Sequence, residues 1–242
     1  MKPILTKSLI TSIATLGVIG MSSSPIYAVT PSPTPNAAKL AAVQAKGDTD
    51  ISVRLTSLGS LISSVSASTK LSSAQKSSLS AEMQGEVTAL TALKSKIETD
   101  TDIPTTRADY AMIFSAHYIY AFYIPRVNRI LAADAQSDAA ATLTTLATTL
   151  QGYVTQAKTA GNDVTALQTA LTDMQAKATD ATTQSQNALS TLLPLTSAGY
   201  PNNKTTVQGT STSITTARTD LKTARADAGT IVAALKKMLG LK

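Results

Sequence analysis

Val164-Thr-Ala-Leu-Gln-Thr-Ala-Leu-Thr-Asp-Met-Gln-Ala-Lys-Ala-Thr-Asp-Ala-Thr-Thr-Gln-Ser-Gln-Asn-Ala-Leu-Ser-Thr-Leu-Leu-Pro-Leu195 is the stretch that decides the fold. Within it Val164, Leu167, Leu171, Met174, Ala178, Ala181, Ser185, Ala188, Leu192 and Leu195 follow at steps of 3,4,3,4,3,4,3,4,3, a spacing that lays side chains along one stripe of a helix. The stripe narrows to Ala and Ser at its middle, so a neighbouring helix can approach closely there. A second run, Ile214, Ala217, Leu221, Ala224, Ala228, Ile231, Leu235 and Met238, steps 3,4,3,4,3,4,3. Ala198-Gly-Tyr-Pro-Asn-Asn203 lies between them, with Gly after one helix and Pro before the next. These features predict an antiparallel hairpin of helices over about 163–198 and 203–239. Pro194 either kinks the last turn of the first helix or ends its regular part near Leu193.

Toward the N-terminus, Leu143, Leu146, Leu150, Tyr153 and Ala157 carry a helix that Gly161-Asn162-Asp163 stops. With Pro125 inside it, this third helix is expected to run from about Thr106 to Ala160, roughly 80 Å at about 1.5 Å per residue. Before it, Leu79, Met83, Val87, Leu90, Leu93 and Ile97 mark a helix over about 72–99, opened by the capping box Ser72-Ser-Ala-Gln75. Ile51, Leu55, Leu58, Ile62 and Val65 mark another over about 37–67. No run joins apolar–polar alternation to β-branched or aromatic enrichment, so no strand is expected. The fold class that follows is all-α: an elongated antiparallel bundle of about five helices, or coiled-coil hairpins, without a sheet. Residues 37–131 are expected to form one bundle and 132–242 a second, end to end and sharing the long third helix. One compact bundle is the alternative, should that helix break at Pro125 or near Ala132–Asp138.

Composition removes several chemistries. The 242 residues include 38 Ala, 38 Thr and 26 Ser but no Cys, no Trp and a single His. Thiolate catalysis, disulfides and Cys-ligated metals are excluded, as is any site built from several imidazoles. The formal charge is +6, and no Lys/Arg-rich run suited to a phosphate backbone occurs, so nucleic acid is not an expected partner.

Residues 1–28 read as a secretory signal peptide. Lys2 and Lys7 form its basic start, Ser8–Met21 its apolar run, and Ile26-Tyr27-Ala28 a small-residue cleavage site. The apolar run is too short and too rich in Ser and Thr for a spanning helix, so no stable membrane span is expected after cleavage. Val29–Asn36, with alternating Pro, reads as an extended spacer. This layout, together with Lys94-Ser-Lys-Ile-Glu-Thr-Asp-Thr-Asp102, Tyr118-Ile-Tyr-Ala121 and Asp163-Val-Thr-Ala-Leu-Gln-Thr-Ala-Leu171, resembles one that recurs among secreted all-helical bacterial proteins of no known activity. The resemblance implies export and an all-helical fold, and it carries over no site residue.

Six of the nine aromatics fall between Tyr110 and Tyr123, with His117 among them. Tyr110, Phe114, His117, Tyr118, Tyr120 and Tyr123 are therefore the candidate contacts for a ligand or partner. The competing role for them is core packing, since aromatics bury the most area per residue. His117 as a general base needs an orienting acid and a nucleophile, and Asp109 sits two helical turns away, too far to touch. Glu98, Asp100 and Asp102 occupy positions 1, 3 and 5 of a Ca²⁺-loop pattern, with Asp109 at position 12. Ile103 stands where that loop needs Gly, which favours turn and capping roles. Leu193-Pro-Leu-Thr196 lacks the Gly of a wall-sorting signal, and Asn203-Lys-Thr205 is a glycosylation pattern. No cofactor and no catalytic residue is expected. The sequence reads as a non-enzymatic exported structural or interaction protein of the cell exterior, a helical spacer or docking surface whose partner is a protein or cell-envelope component. A binding module centred on the aromatic cluster is the alternative, and the Ala-rich stripes also leave self-association open.

Overall fold

A computed structural model describes residues 34–240. The expected signal peptide, the first residues of the Pro-rich spacer, Leu241 and Lys242 lie outside the described residues. Six α-helices make up the fold: α1 Pro35–Ala67, α2 Ser73–Thr99, α3 Ile103–Ser115, α4 Ile124–Thr159, α5 Thr165–Leu192 and α6 Lys204–Leu239. A π-helical turn, Ile119–Tyr123, precedes α4, and a 3₁₀ turn, Ser197–Gly199, joins α5 to α6. No strand occurs among the described residues, and none of their helices is long and apolar enough to cross a membrane. The all-α bundle expected from the 3,4 stripes is the observed fold.

Local chemistry accounts for the helix ends. The Thr34 side chain accepts from the Ala37 amide, with Pro35 in the first turn, where its missing N–H costs nothing. The spacer expected to reach Asn36 thus ends earlier, because Thr34-Pro35 is a helix-start signal. Ser72 and Gln75 form the expected capping box of α2. The many Thr hydroxyls bond back to the carbonyl four residues earlier, as Thr145, Thr155, Thr169, Thr183 and Thr219 do, which satisfies each hydroxyl within its own helix at a slight cost to that helix, so the packed stripes carry the stability.

The third helix differs from expectation. It stops at Ser115 and restarts at Ile124, so the break falls upstream of Pro125 and outside Ala132–Asp138. Proline is accommodated in a helix's first turn and disrupts the turn before it. Here Pro125 is near the start of α4, and the preceding residues close wide turns, with the Tyr123 and Ile124 amides reaching the carbonyls of Tyr118 and Ile119. The α5 helix ends at Leu192, two residues before Pro194; it falls short of 198 and follows the second reading of Pro194, an end to the regular part near Leu193.

Cross-helix contacts give the directions. Gln44 of α1 donates to the carbonyls of Ile97, Glu98 and Asp100 at the end of α2, so these helices are antiparallel. Moving up the third line, Lys96 meets Asp109, Glu86 meets His117 and Glu82 meets Arg126. α3, the π turn and α4 therefore continue one line along α2. On α4, Gln151 exchanges amide hydrogen bonds with Gln168 of α5, and Gln136 donates to the Ile214 carbonyl of α6. Thus α5 runs antiparallel to α4 and α6, which run parallel.

The α1–α2 hairpin reaches Asp134 and Asp138, through Ser68, Thr69 and Lys70. The α5–α6 hairpin reaches back to Tyr123 and Arg126, through Leu192, Leu193 and Ser197. The two hairpins overlap along the start of α4 instead of meeting tip to tip. One core cluster joins α1, α2, the π turn and the tip of the second hairpin, and another fills the α4–α5–α6 bundle. Between them sits a small contact of Ala133, Ala188 and Ile214. Asn36 and Ala37 at the start of α1 lie beside Thr101–Pro104 at one pole, while Leu239 at the end of α6 packs against the α4–α5–α6 cluster toward the other. Every stripe position from Leu167 to Leu192 on α5 is buried, including Ser185.

Asp227 of α6 faces Asp173 of α5. Burial, then repulsion and hydrogen bonding from Asp173, hold the Asp227 carboxyl above its ordinary range. An acid whose folded pKa is raised binds its proton more tightly folded than unfolded. Its stabilising effect is full below the ordinary aspartate range and is lost as pH rises through the raised value. Asp227→Asn is therefore expected to raise Tm at pH 7. Asp227 is half-buried but Asp173 is exposed, and solvent screening on that side limits the gain to on the order of 1 °C. The difference should vanish in melts below the ordinary aspartate pKa; a lower Tm for the variant at pH 7 would contradict it.

Candidate functional site

The helix break separates the aromatic stretch into two faces. On the inner side Tyr123 is 2 % exposed, and its hydroxyl donates to Ser197 Oγ at 3.1 Å. Burial pushes its phenol up to about 12. Phe122 is fully buried and meets Tyr123 edge-on with ring centroids 5.4 Å apart. Tyr118 packs on Tyr200 at 4.5 Å. These side chains fill the junction between the hairpins.

His117, on the same side, places Nδ1 2.7 Å from Glu86 Oε1 of α2, both side chains largely buried. Glu86 is the orienting acid that reading along one helix could not supply, because it lies 31 residues away on another. One layer further, Arg126 is 2 % exposed and fully engaged. Its Nε donates to the Leu192 carbonyl and its Nη2 to the Leu193 carbonyl, each at 2.9 Å. Its Nη1 donates to Glu82 Oε2 at 2.7 Å, and its plane lies 5.3 Å from the Phe122 ring centroid. A cation here offsets the partial negative charge at the end of α5.

The outer face is built differently. Arg54 of α1 lies 4.7 Å from the Phe114 ring centroid and 5.1 Å from that of Tyr120. Phe114 and Tyr120 are 51 % and 49 % exposed, yet the arginine between them is only 7 % exposed. One turn back, Tyr110 meets Phe114 edge-on at 5.4 Å, and its hydroxyl donates to Asp50 Oδ2 at 2.6 Å. The Lys46 ammonium stands 5.1 Å from the Tyr110 ring centroid, and hydrogen bonding to Tyr110 holds it above the usual lysine range. The parallel course of α1 and α3 creates this ladder, pairing Asp50 with Tyr110 and Arg54 with Phe114.

Of the six candidate contacts, Tyr110, Phe114 and Tyr120 thus share an accessible face, while His117, Tyr118 and Tyr123 turn to the junction. Arg54 and Arg126 were not singled out from the sequence. Both stand in step with apolar stripes, Arg54 between Ile51 and Leu58 and Arg126 between Tyr123 and Ile130; a charge in register with a buried stripe is the signal that would have found them.

The acidic loop serves turn chemistry. Asp102 caps α3, accepting from the Thr105 amide at 2.9 Å, which holds its carboxyl below the usual aspartate range. Asp109 pairs with Lys96 at 2.7 Å. Among the described residues no three His, Asp or Glu side chains are grouped to hold a metal ion. The Asn203 side-chain amide donates to the Thr196 carbonyl at 2.8 Å. Set against protein-family models, curated proteins and solved structures, the chain matches none.

Proposed function

We propose that this chain is a non-enzymatic interaction protein of the cell exterior, a rigid helical spacer that presents the Arg54–Phe114–Tyr120 face to a cell-envelope component. The observation that carries the reading is the contrast within one aromatic stretch. Phe122 and Tyr123 are buried at the hairpin junction, whereas Phe114 and Tyr120 stand half-exposed on a guanidinium that fixes their position. Large exposed rings at a fixed place are a recurrent feature of recognition surfaces. The overlapping hairpins supply the spacer, holding that face on a packed body. Export rests on the basic and apolar pattern of residues 1–28.

The test is co-sedimentation of the mature chain with envelope fractions of the producing cell, beside a Phe114→Ala/Tyr120→Ala variant. Both replaced side chains are half-exposed, so the variant should keep its helical circular-dichroism spectrum. Retention of the parent chain and loss of most retention by the variant are expected. Equal retention of both would remove the outer face from the function.

A further inference from the structure

The charged residues of α6 are sorted by flank. Asp220 pairs with Lys177 of α5, and Asp227 faces Asp173 of α5, so both acids of this helix are turned toward α5. Arg218, Lys222 and Arg225 follow at steps of four and three along another face, and all three are exposed. Arg218 belongs to a cleft of about 400 Å³ between α4 and α6, with Arg129 and Asn128 on one wall and Arg218, Ser211 and Thr215 on the other. Neither an acid nor an aromatic ring lines it. Lys222 and Arg225 continue the line of Arg218 for two more turns. The two acids of α4, Asp134 and Asp138, bond instead to Ser68 and Lys70 of the α1–α2 hairpin. Arg129 is held at the cleft by neutral oxygens alone, Nη1 on the Pro125 carbonyl and both Nε and Nη2 on Ser211 Oγ. Among the described residues none of these four cations meets a carboxylate. Like charges three and four apart on a helix repel and weaken it, and no acid of α4 or α6 offsets that repulsion.

We infer that this cleft and the basic line running from it bind a linear phosphodiester polymer of the polyol kind, such as poly(glycerol phosphate). The sequence holds no contiguous basic run; the fold assembles one from α4 and α6, with Arg218 and Arg225 about 10 Å apart along the helix axis. A row of cations suits an anion that repeats along a chain, because each contact releases counterions from it. The guanidinium fork matches phosphate oxygens, and the Ser211 and Thr215 hydroxyls beside it suit a polyol. A cleft without rings gives the bases of a nucleic acid nothing to stack on, and the same holds for the sugar faces of a polyuronate. A lipid surface calls for large apolar side chains next to the charges, and Ile214, the largest apolar residue of the cleft, is only 7 % exposed. This surface is separate from the Arg54–Phe114–Tyr120 face and does not depend on the docking role proposed for that face.

The experiment titrates the mature chain with a glycerol-phosphate hexamer by calorimetry at low ionic strength. Saturable binding that weakens steeply with added salt is expected. Arg218→Gln/Lys222→Gln/Arg225→Gln should weaken it about tenfold or more and lower the slope of log affinity against log salt by about two. Relief of the repulsion should leave the melting temperature of that variant at or above the parent's. Lys39→Gln/Arg107→Gln/Lys158→Gln removes the same charge from exposed positions elsewhere and should bind as the parent does. Phe114→Ala/Tyr120→Ala should also bind as the parent does, which separates this inference from the docking role of the aromatic face. Absence of binding at millimolar hexamer overturns the inference, as does equal weakening by the two triple variants. Loss of binding in Phe114→Ala/Tyr120→Ala would put the site on the wrong face and overturn it too. A first triple variant that melts well below the parent would give the three charges a structural role, with the same result. Hexathymidylate or hexagalacturonate that binds as tightly as the hexamer would overturn the assignment to a ring-free phosphodiester.

Discussion

Arg126→Ala is expected to lower stability by about 3–5 kcal/mol, the cost of removing one partner from a buried ion pair. In a chain of this size that corresponds to a fall in Tm of about 10 °C. The substitution strands Glu82 and the Leu193 carbonyl and leaves the Leu192 carbonyl with the Leu195 amide alone, all three having bonded to the one guanidinium. It also removes the support beneath the Phe122 ring. The damage falls where the second hairpin reaches the first, so near-ultraviolet circular dichroism of Tyr123 should change with the melt. Arg126→Met combined with Glu82→Met should recover part of the loss, because the buried charge left behind is then gone. A single variant that melts within about 2 °C of the parent would show that the guanidinium does not join the hairpins.

Ala181→Leu is expected to cost about 3 kcal/mol, by overpacking. Ala178, Ala181 and Ser185 are wholly buried at the middle of α5, and Ala217 and Ala224 are wholly buried on α6. Backbones drawn together over such small side chains leave no room for an isobutyl group, and the neighbouring helices must part or the new side chain must leave its rotamer. Ala176→Leu, on the exposed side of the same helix, should change stability by less than about 0.5 kcal/mol. Urea melts of the two variants side by side make the measurement. A tolerated Leu at position 181 would mean that the centre of the bundle is loosely filled.

What the sequence disclosed and what it hid divide along a physical line. The α5 and α6 stripes were legible because an amphipathic helix writes its buried face into its own spacing, and Leu167 through Leu192 needed no knowledge of a partner. The helix break was misplaced because Ala116-His117-Tyr118 contains no breaker. The disturbance is displaced upstream from Pro125, whose own position is compatible with a first turn. Tyr110, Phe114 and Tyr120 were legible as aromatics but not as one face, since the π turn shifts Tyr120 out of the straight-helix phase. The Glu86–His117 and Glu82–Arg126 pairs join residues on separate helices, and a single sequence holds no trace of such cross-talk beyond a charge out of place in an apolar stripe. Arg54 is of that kind: its meaning comes from the two rings that the parallel course of α3 brings over it.

The overlap of the hairpins also bears on how the molecule carries load. Its described ends, Thr34 and Gly240, sit at opposite poles, with α1 leading inward from one and α6 outward to the other. Tension applied between them would drag each of these helices lengthwise past its neighbours, so that rows of contacts must slip together instead of peeling one at a time. The joint at Arg126 works as a lap splice, and resistance to stretching would be set by the barrier to that slip rather than by equilibrium stability.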